Sequence, residues 1–242
     1  MKTTHAIISL FSWLMISDAM ATAEIIEKDP LIIDSANGMK CDREKQTCST
    51  EGKIKISKGV YEIHGESATA FMGKNPEGKS NIRRVEIHKN VQIFGESGEK
   101  SAAEHAIYDL DTLTIELKPN GSKQVIVWKD EYILLADKIT IYLKENTENK
   151  NEVDHILARG HVKVSSPEEF ILSDEATMTP QENLIIMTGN VLANREEGQL
   201  QGPYALVDLE KKTSSVLKRK DMDDNERVRA FVYPDNQSSG KS

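Results

Sequence analysis

Polar and apolar residues alternate with a period of two over most of the chain, and no long stretch repeats apolar residues at helical spacing. Successive side chains of a β-strand point to opposite faces of its sheet, so each alternating segment is predicted to be a strand with one buried face. The clearest segments are residues 53–56 (KIKI), 85–87 (VEI), 91–93 (VQI), 112–117 (TLTIEL), 138–141 (KITI) and 162–164 (VKV). The chain is therefore predicted to be all-β.

The predicted strands recur as a unit. One half of the unit begins at Gly52, Asn90, Gly160 and Gly189, each followed by alternating residues. The other half is marked by Ala36, Ala68, Ala106, Ile139, Ala176 and Ala205, at intervals of 29 to 38 residues. Such a unit holds two strands and their turns, and a two-stranded unit must stack on its neighbours to bury its apolar face. The repeat predicts an elongated antiparallel stack.

Two segments depart from this alternation. Residues 133–135 (ILL) and 184–187 (LIIM) are apolar on both faces of the predicted strand. A central strand covered on both sides would explain them, and so would an open apolar groove. Periodicity does not separate these two interpretations.

The N-terminal residues are predicted to be a targeting segment. Lys2 precedes an apolar run at residues 6–16, and small residues follow at cleavage spacing. Eleven apolar residues are fewer than the ~20 that span a bilayer, so we expect a secretory signal peptide cut after Ala23; a retained anchor is the alternative.

Three segments are expected along the chain: the signal peptide at 1–23, one β domain at 24–217, and a C-terminal segment at 218–242. Residues 218–229 are dense in charge and are interpreted as a flexible loop. A last short strand is predicted at 228–233, and residues 235–242 are expected to form a disordered tail.

Composition excludes some classes of partner. The chain has 31 Lys and Arg against 39 Asp and Glu, a formal net charge of −8. Nucleic-acid binding depends on clustered positive charge, so we expect no nucleic-acid partner.

The two cysteines are spaced for a hairpin. If the chain turns at Glu44 and Lys45, Cys41 lies directly opposite Cys48, at a separation that a disulfide can close. Exported proteins retain disulfides, so we predict this bond; two free thiols or half of a metal site are the alternatives.

No catalytic or metal-binding motif stands out. His64, His88, His105, His155 and His161 show no zinc-ligand spacing, and they are interpreted as surface histidines. Asp109 and Asp111 could form an acid pair, but Asp-x-Asp is common at turns. We therefore predict no enzyme activity, no cofactor and no metal, and expect a protein that binds or scaffolds through its apolar inner face and exposed strand edges.

The chain resembles the OstA-like, or LptA, periplasmic lipopolysaccharide-transport family. The resemblance is carried by residues 30–36 (PLIIDSA), by the repeated steps beginning at Gly52, Asn90, Gly160 and Gly189, and by residues 227–234 (RVRAFVYP). It implies a β-jellyroll of stacked antiparallel V-shaped strands, elongated and open at both ends. It also implies a non-enzymatic periplasmic protein whose interior holds the acyl chains of lipopolysaccharide.

The family further implies partners. Like-folded domains of inner-membrane and outer-membrane transport proteins are expected to join the chain by edge-strand pairing. The same edges would also allow copies of the chain to associate head to tail. The edges are predicted at residues 31–36 and 213–217. The alternatives are a membrane-anchored LptC-like partner of the same fold and a dry-cored β-solenoid scaffold.

Alternation also selects the side chains that would line the lipid groove. Each lies on the face of its strand that is predicted to point inward. These residues are Ile54, Ile56, Tyr61, Ile63, Val85, Ile87, Val91, Ile93, Leu113, Ile115, Leu117, Ile139, Ile141, Val162, Val164 and Val191.

Overall fold

A computed structural model describes residues 30–59, 61–74, 78, 80–95, 98–121, 123–147, 150–218 and 227–232. The predicted signal peptide, the predicted tail and residues 219–226 of the charged segment lie outside this part of the chain.

The described chain folds into one antiparallel sheet with a single 3₁₀ turn at Pro180–Glu182. Its strands are β1 (Ile32–Ser35), β2 (Lys40–Asp42), β3 (Thr47–Lys58), β4 (Tyr61–Lys74), β5 (Ser80–Phe94), β6 (Lys100–Asp109), β7 (Thr114–Lys118), β8 (Val125–Lys129), β9 (Tyr132–Ala136), β10 (Lys138–Glu145), β11 (Asn151–Ser165), β12 (Glu169–Thr179), β13 (Leu184–Arg195), β14 (Gly198–Asp208), β15 (Thr213–Leu217) and β16 (Arg229–Val232). The all-β prediction is confirmed.

The long strands bend in the middle, so that the sheet has two arms. Arm A runs β2–β3–β4–β5–β6–β7–β10–β11–β12–β13–β14–β15. Arm B runs β1–β3–β4–β5–β6–β8–β9–β11–β12–β13–β14–β16. The short strands therefore occur in pairs, and the two members of a pair belong to different arms. These pairs are β1 with β2, β7 with β8, β9 with β10, and β15 with β16. This is the V-shaped jellyroll that the family resemblance implied.

The bend coincides with the repeated motif. The pairing register shifts at the bend in the long strands, as between His88 and Val91 of β5 or Thr188 and Val191 of β13. At Gly189 φ is +77°, and a Cβ there would lie 2.5 Å from a carboxylate oxygen of Asp174. The close approach to Asp174 therefore leaves no room for a Cβ, and glycine adopts this positive φ without strain.

The following residue fastens the bend to the preceding strand. Asn190 donates its side-chain N–H to Asp174 at 2.8 Å. At the equivalent bend of β11, Gly160 also has positive φ, and His161 Nδ1 lies 2.6 Å from the Asp137 carboxylate. The repeated motif in the sequence thus marks the bends, where the same kind of side-chain contact to an aspartate recurs.

Side chains from both arms form one hydrophobic cluster between the arms. The strand predicted near the C-terminus is present as β16, and it pairs with β14. The sheet therefore includes a strand beyond residue 217. The charged segment connects the two halves of the last V, β15 and β16.

Candidate functional site

The interior between the arms contains almost all the side chains that alternation selected. Fifteen of the sixteen predicted positions are at most 7% exposed and belong to the central cluster. Leu113 is the exception, because β7 begins at Thr114 and Leu113 sits in the preceding turn with φ +52°. It is half-buried and packs against the edge of the cluster.

The interior is closed in this structure. Val85, Ile87, Ile115, Leu117 and Ile139 have no exposed surface, so no water-sized space adjoins them. Side chains of the two arms fill the volume between them as in an ordinary protein core. An acyl chain can reach these residues only if the arms move apart.

A flap closes the open end of the V opposite the bend. We define the flap as residues 143–147 and 150–153, which belong to the tip of the β10–β11 hairpin. It extends beyond its neighbours, since β7 pairs with β10 only as far as Tyr142 and β12 pairs with β11 only as far as Ile156. A bulge after Tyr142 bends the tip, and its inner side chains Leu143, Asn151 and Val153 are buried.

The flap is held by polar contacts at the mouth. Asn151 donates its amide N–H to the Tyr108 hydroxyl at 2.9 Å, and this pair is buried. Burial, together with the nearby Glu99 carboxylate, raises the pKa of the Tyr61 hydroxyl, which is hydrogen-bonded to the backbone of Val153. The flap is also bonded to its neighbours, because the Leu143 N–H donates to the Leu113 carbonyl at 2.8 Å and the Gln181 side-chain N–H donates to the Val153 carbonyl.

An ion pair lies beside the flap, at the tips of arm B. Lys129 Nζ and Glu99 Oε1 are 3.0 Å apart, and both side chains are less than 10% exposed. Each of these buried charges stabilises the other, because removal of one would leave the other buried without a counter-charge. The mouth therefore combines an apolar interior with two buried polar pairs, Asn151 with Tyr108 and Lys129 with Glu99.

Each end of the stack presents an edge made of two strands. In the described chain β1 and β2 pair with β3 alone, and β15 and β16 pair with β14 alone. The sequence prediction named β1 and β15 but missed that β2 and β16 complete the same edges.

Exposed apolar side chains concentrate at these ends. Among the described residues, six of the seven large hydrophobic side chains that are exposed belong to the terminal V at one end or the other, and only Trp128 does not. The six are Ile32, Met39, Leu217, Val228, Phe231 and Val232. Unpaired backbone groups beside exposed apolar side chains are the features that favour pairing with another strand.

The segments at 133–135 and 184–187, which are apolar on both faces, are neither covered on both sides nor open to a groove on both sides. Leu134 of β9 points into the core, while Ile133 and Leu135 point to the outer face and are half-buried by neighbouring side chains. In β13, Ile185 and Met187 point inward and Ile186 is half-buried outside. Their second apolar face is thus on the outside of the sheet, neither in the groove nor under a second layer.

The candidate acid pair has a structural role. The Asp109 carboxylate accepts the backbone N–H groups of Asp111 and Thr112 at 3.0 and 2.9 Å. Burial alone would raise the pKa of Asp109, but these hydrogen bonds hold it below its usual value. Asp111 is paired with Arg83. The two carboxylates therefore shape the β6–β7 turn.

Most histidines on the outer face contact a carboxylate. His64 is bonded to Glu62, His155 to Asp154, and His161 to Asp137. His88 and His105 instead stack on each other beside Glu86. The sequence search missed this cluster because its members come from two strands, and only the register of β5 and β6 brings them together.

The cysteine hairpin has the register that the sequence predicted. Cys41 lies opposite Cys48 between β2 and β3, and the two residues form a disulfide. The bond therefore ties together the outermost strands of arm A at one end of the stack.

A comparison of the sequence with models of known protein families shows which family the chain belongs to. A family model described as "LptA/(LptD N-terminal domain) LPS transport protein" matches residues 33–124 and again residues 121–213. The chain belongs to this family. The two matches of the LptA/LptD N-terminal domain family meet in the loop between β7 and β8, so the family pattern occurs twice in succession along the sheet. The family and the fold are those of a lipopolysaccharide-transport protein.

Solved structures give a more distant likeness. One is LptH, described as the LptA homologous periplasmic component of the lipopolysaccharide transport device from Pseudomonas aeruginosa. It is 10% identical, the match covers 85% of this chain and 96% of that chain, and the TM-score is 0.25. No curated protein sequence matches the chain. Within the described residues, no helix has the length and apolarity needed to cross a membrane.

Proposed function

We propose that the protein carries lipopolysaccharide in the periplasm, with the acyl chains held between the two arms. The observation that supports this most directly is the apolar interior, which runs through the whole stack and is bounded at one side by a small flap. Each methylene removed from water contributes about 0.8 kcal/mol, so burial of several acyl chains could offset the free energy needed to separate the arms.

Access to the interior is proposed to begin at the flap. Opening it breaks the hydrogen bond between Asn151 and Tyr108 and exposes the small apolar surfaces of Leu143 and Val153. The bend at the opposite side keeps its bonds, such as that between Asn190 and Asp174, so it can act as a hinge while the V widens. The net charge of −8 does not attract an anionic lipid, and burial of acyl chains supplies the affinity.

The two edges are proposed to join the protein to like-folded domains of inner-membrane and outer-membrane transport proteins, and to copies of itself. Strand addition at an open edge provides backbone hydrogen bonds, and the exposed Phe231 and Ile32 at opposite ends provide apolar contact. The stack would then form a continuous bridge. Export through a signal peptide cut after Ala23 belongs to the same proposal.

A competition experiment tests lipid binding. Purified protein is titrated with lipopolysaccharide, and unlabelled lipid A or deacylated lipopolysaccharide is added as a competitor. We expect saturable binding that lipid A displaces and the deacylated molecule does not. Equal displacement by both competitors would show that the acyl chains are not what the protein recognises.

A dry-cored scaffold is the second candidate, and the closed interior favours it. That role requires the edges but not the interior. It predicts no saturable binding of lipopolysaccharide by a protein that still associates through its ends. The same titration therefore separates the two functions.

A further inference from the structure

Three potential metal ligands meet on the outer face of arm A. His88 of β5 lies directly opposite His105 of β6, and Glu86 lies two residues before His88 on the same face. The ligand atoms of the three side chains all lie within 4.8 Å of one another. Ile87 and Ala106, their inward-facing neighbours, are fully buried, so the cluster and the interior are on opposite sides of the sheet.

His105 has an unsatisfied nitrogen. Its Nε2 atom is buried and is the one buried side-chain nitrogen or oxygen, among the residues described, that lacks a hydrogen-bond partner. Leaving such an atom without a partner carries an energetic penalty.

Two cationic side chains lie beside the cluster, and each is paired with a carboxylate. Arg84 contacts the Glu86 Oε1 atom at 2.9 Å, while the other oxygen of Glu86 faces His88 Nε2 at 3.9 Å. Lys118 lies opposite His105 on β7, but its ammonium is held by Glu116 at 2.6 Å.

We propose that Glu86, His88 and His105 bind a divalent transition-metal ion of the zinc class. Two imidazoles and one carboxylate are a donor set that zinc accepts, with the fourth position left to solvent. The rings stack at 9° and 4.3 Å, so one must rotate before both lone pairs can reach a single ion. His88 is 44% exposed and can make that rotation.

Metal at this site would clamp β5 to β6 next to the bend. The bend of β5 follows at Lys89 and Asn90, both with positive φ. A ligand that binds only the folded state raises its stability, so zinc should increase the melting midpoint. The site does not depend on lipid transport, because it involves no residue of the interior.

Zinc titration tests the proposal. Untagged, metal-free protein is titrated with zinc chloride by calorimetry, and with cobalt(II) for the visible bands of a tetrahedral complex. We expect one equivalent to bind, a rise in the melting midpoint of roughly 5 °C at saturation, and at least tenfold weaker binding for His88→Ala. Because the His88 side chain is substantially exposed, this variant should fold normally.

Two matched variants serve as controls. His155→Ala and His161→Ala each remove a histidine that is next to an aspartate elsewhere on the surface, and both should bind zinc like the wild type. Glu86→Gln should weaken binding by a smaller factor than His88→Ala. The absence of saturable zinc binding, or equal binding by His88→Ala and the wild type, would overturn the proposal.

Discussion

A disulfide across the mouth should prevent lipopolysaccharide binding. Gly59, in the turn between β3 and β4, approaches the flap at Lys150 and Asn151. A Cβ at Gly59 would lie 3.7 Å from the Cβ of Lys150, close to the ~3.8 Å separation typical of disulfides. The double variant Gly59→Cys, Lys150→Cys should therefore oxidise and hold the flap shut.

The effect on stability can be worked out. The bond would close a loop of about 92 residues, which stabilises the folded state by about 4.5 kcal/mol in the chain-entropy treatment. Gly59 has φ +61°, and a side chain in that conformation costs about 1–2 kcal/mol. A net gain of about 3 kcal/mol corresponds to a rise in the melting midpoint of roughly 6–12 °C for a chain of this size.

Binding is then compared in the oxidised and reduced states. The oxidised double variant should bind lipopolysaccharide at least tenfold more weakly than the wild type, and reduction should restore binding. Each single variant and the reduced wild type control for the native Cys41–Cys48 disulfide, and mass spectrometry verifies the pairing. Unchanged binding by the oxidised variant would refute access through the flap.

Three further predictions concern the core, the edge and the corner. Ile115→Ala should lower the free energy of unfolding by about 2–5 kcal/mol in chemical denaturation, whereas Thr114→Ala on the outer face should cost under about 1; equal losses would contradict the assigned inward face. Phe231→Asp should reduce self-association in sedimentation while lipopolysaccharide binding stays within twofold, and wild-type protein that never self-associates would contradict the use of this edge by copies of the chain. The hydrogen bond and charge of Asp137 raise the pKa of His161. The pair therefore stabilises the folded protein fully at pH values below the ordinary histidine pKa, and this stabilisation is lost as the pH rises through the pKa of the folded state. NMR titration of Asp137→Asn should show the pKa of His161 returning towards its ordinary value, and an unchanged pKa would refute the assignment.

The strands could be predicted because one face of each is buried. A slip of one residue would turn every inward side chain to solvent, so alternation alone specifies the phase of strands such as β5 and β10. Leu113 differs from the other predicted positions because the alternation continues in sequence through a turn, where the backbone changes conformation, although its side chain still packs against the cluster. Local pattern does not mark that change.

The parts that depend on distant residues could not be predicted in this way. The flap arises because β10 and β11 extend beyond β7 and β12, the strands beside them. To predict it, one would have to know how these four strands pair. The zinc-class cluster depends on the register that sets His88 opposite His105. Edges formed from two short strands, such as β15 with β16, depend on both strands pairing with different halves of one long strand, β14.

Photocrosslinking in cells tests the central claim most directly. Benzoylphenylalanine replaces Tyr61, an aromatic residue at the mouth that is 7% exposed, or Phe94, an aromatic residue on the outer face of the neighbouring strand. The proposed function predicts a lipopolysaccharide adduct from position 61 and none from position 94. An adduct from position 94 alone, or none from position 61 in folded, exported protein, would contradict transport of lipid between the arms.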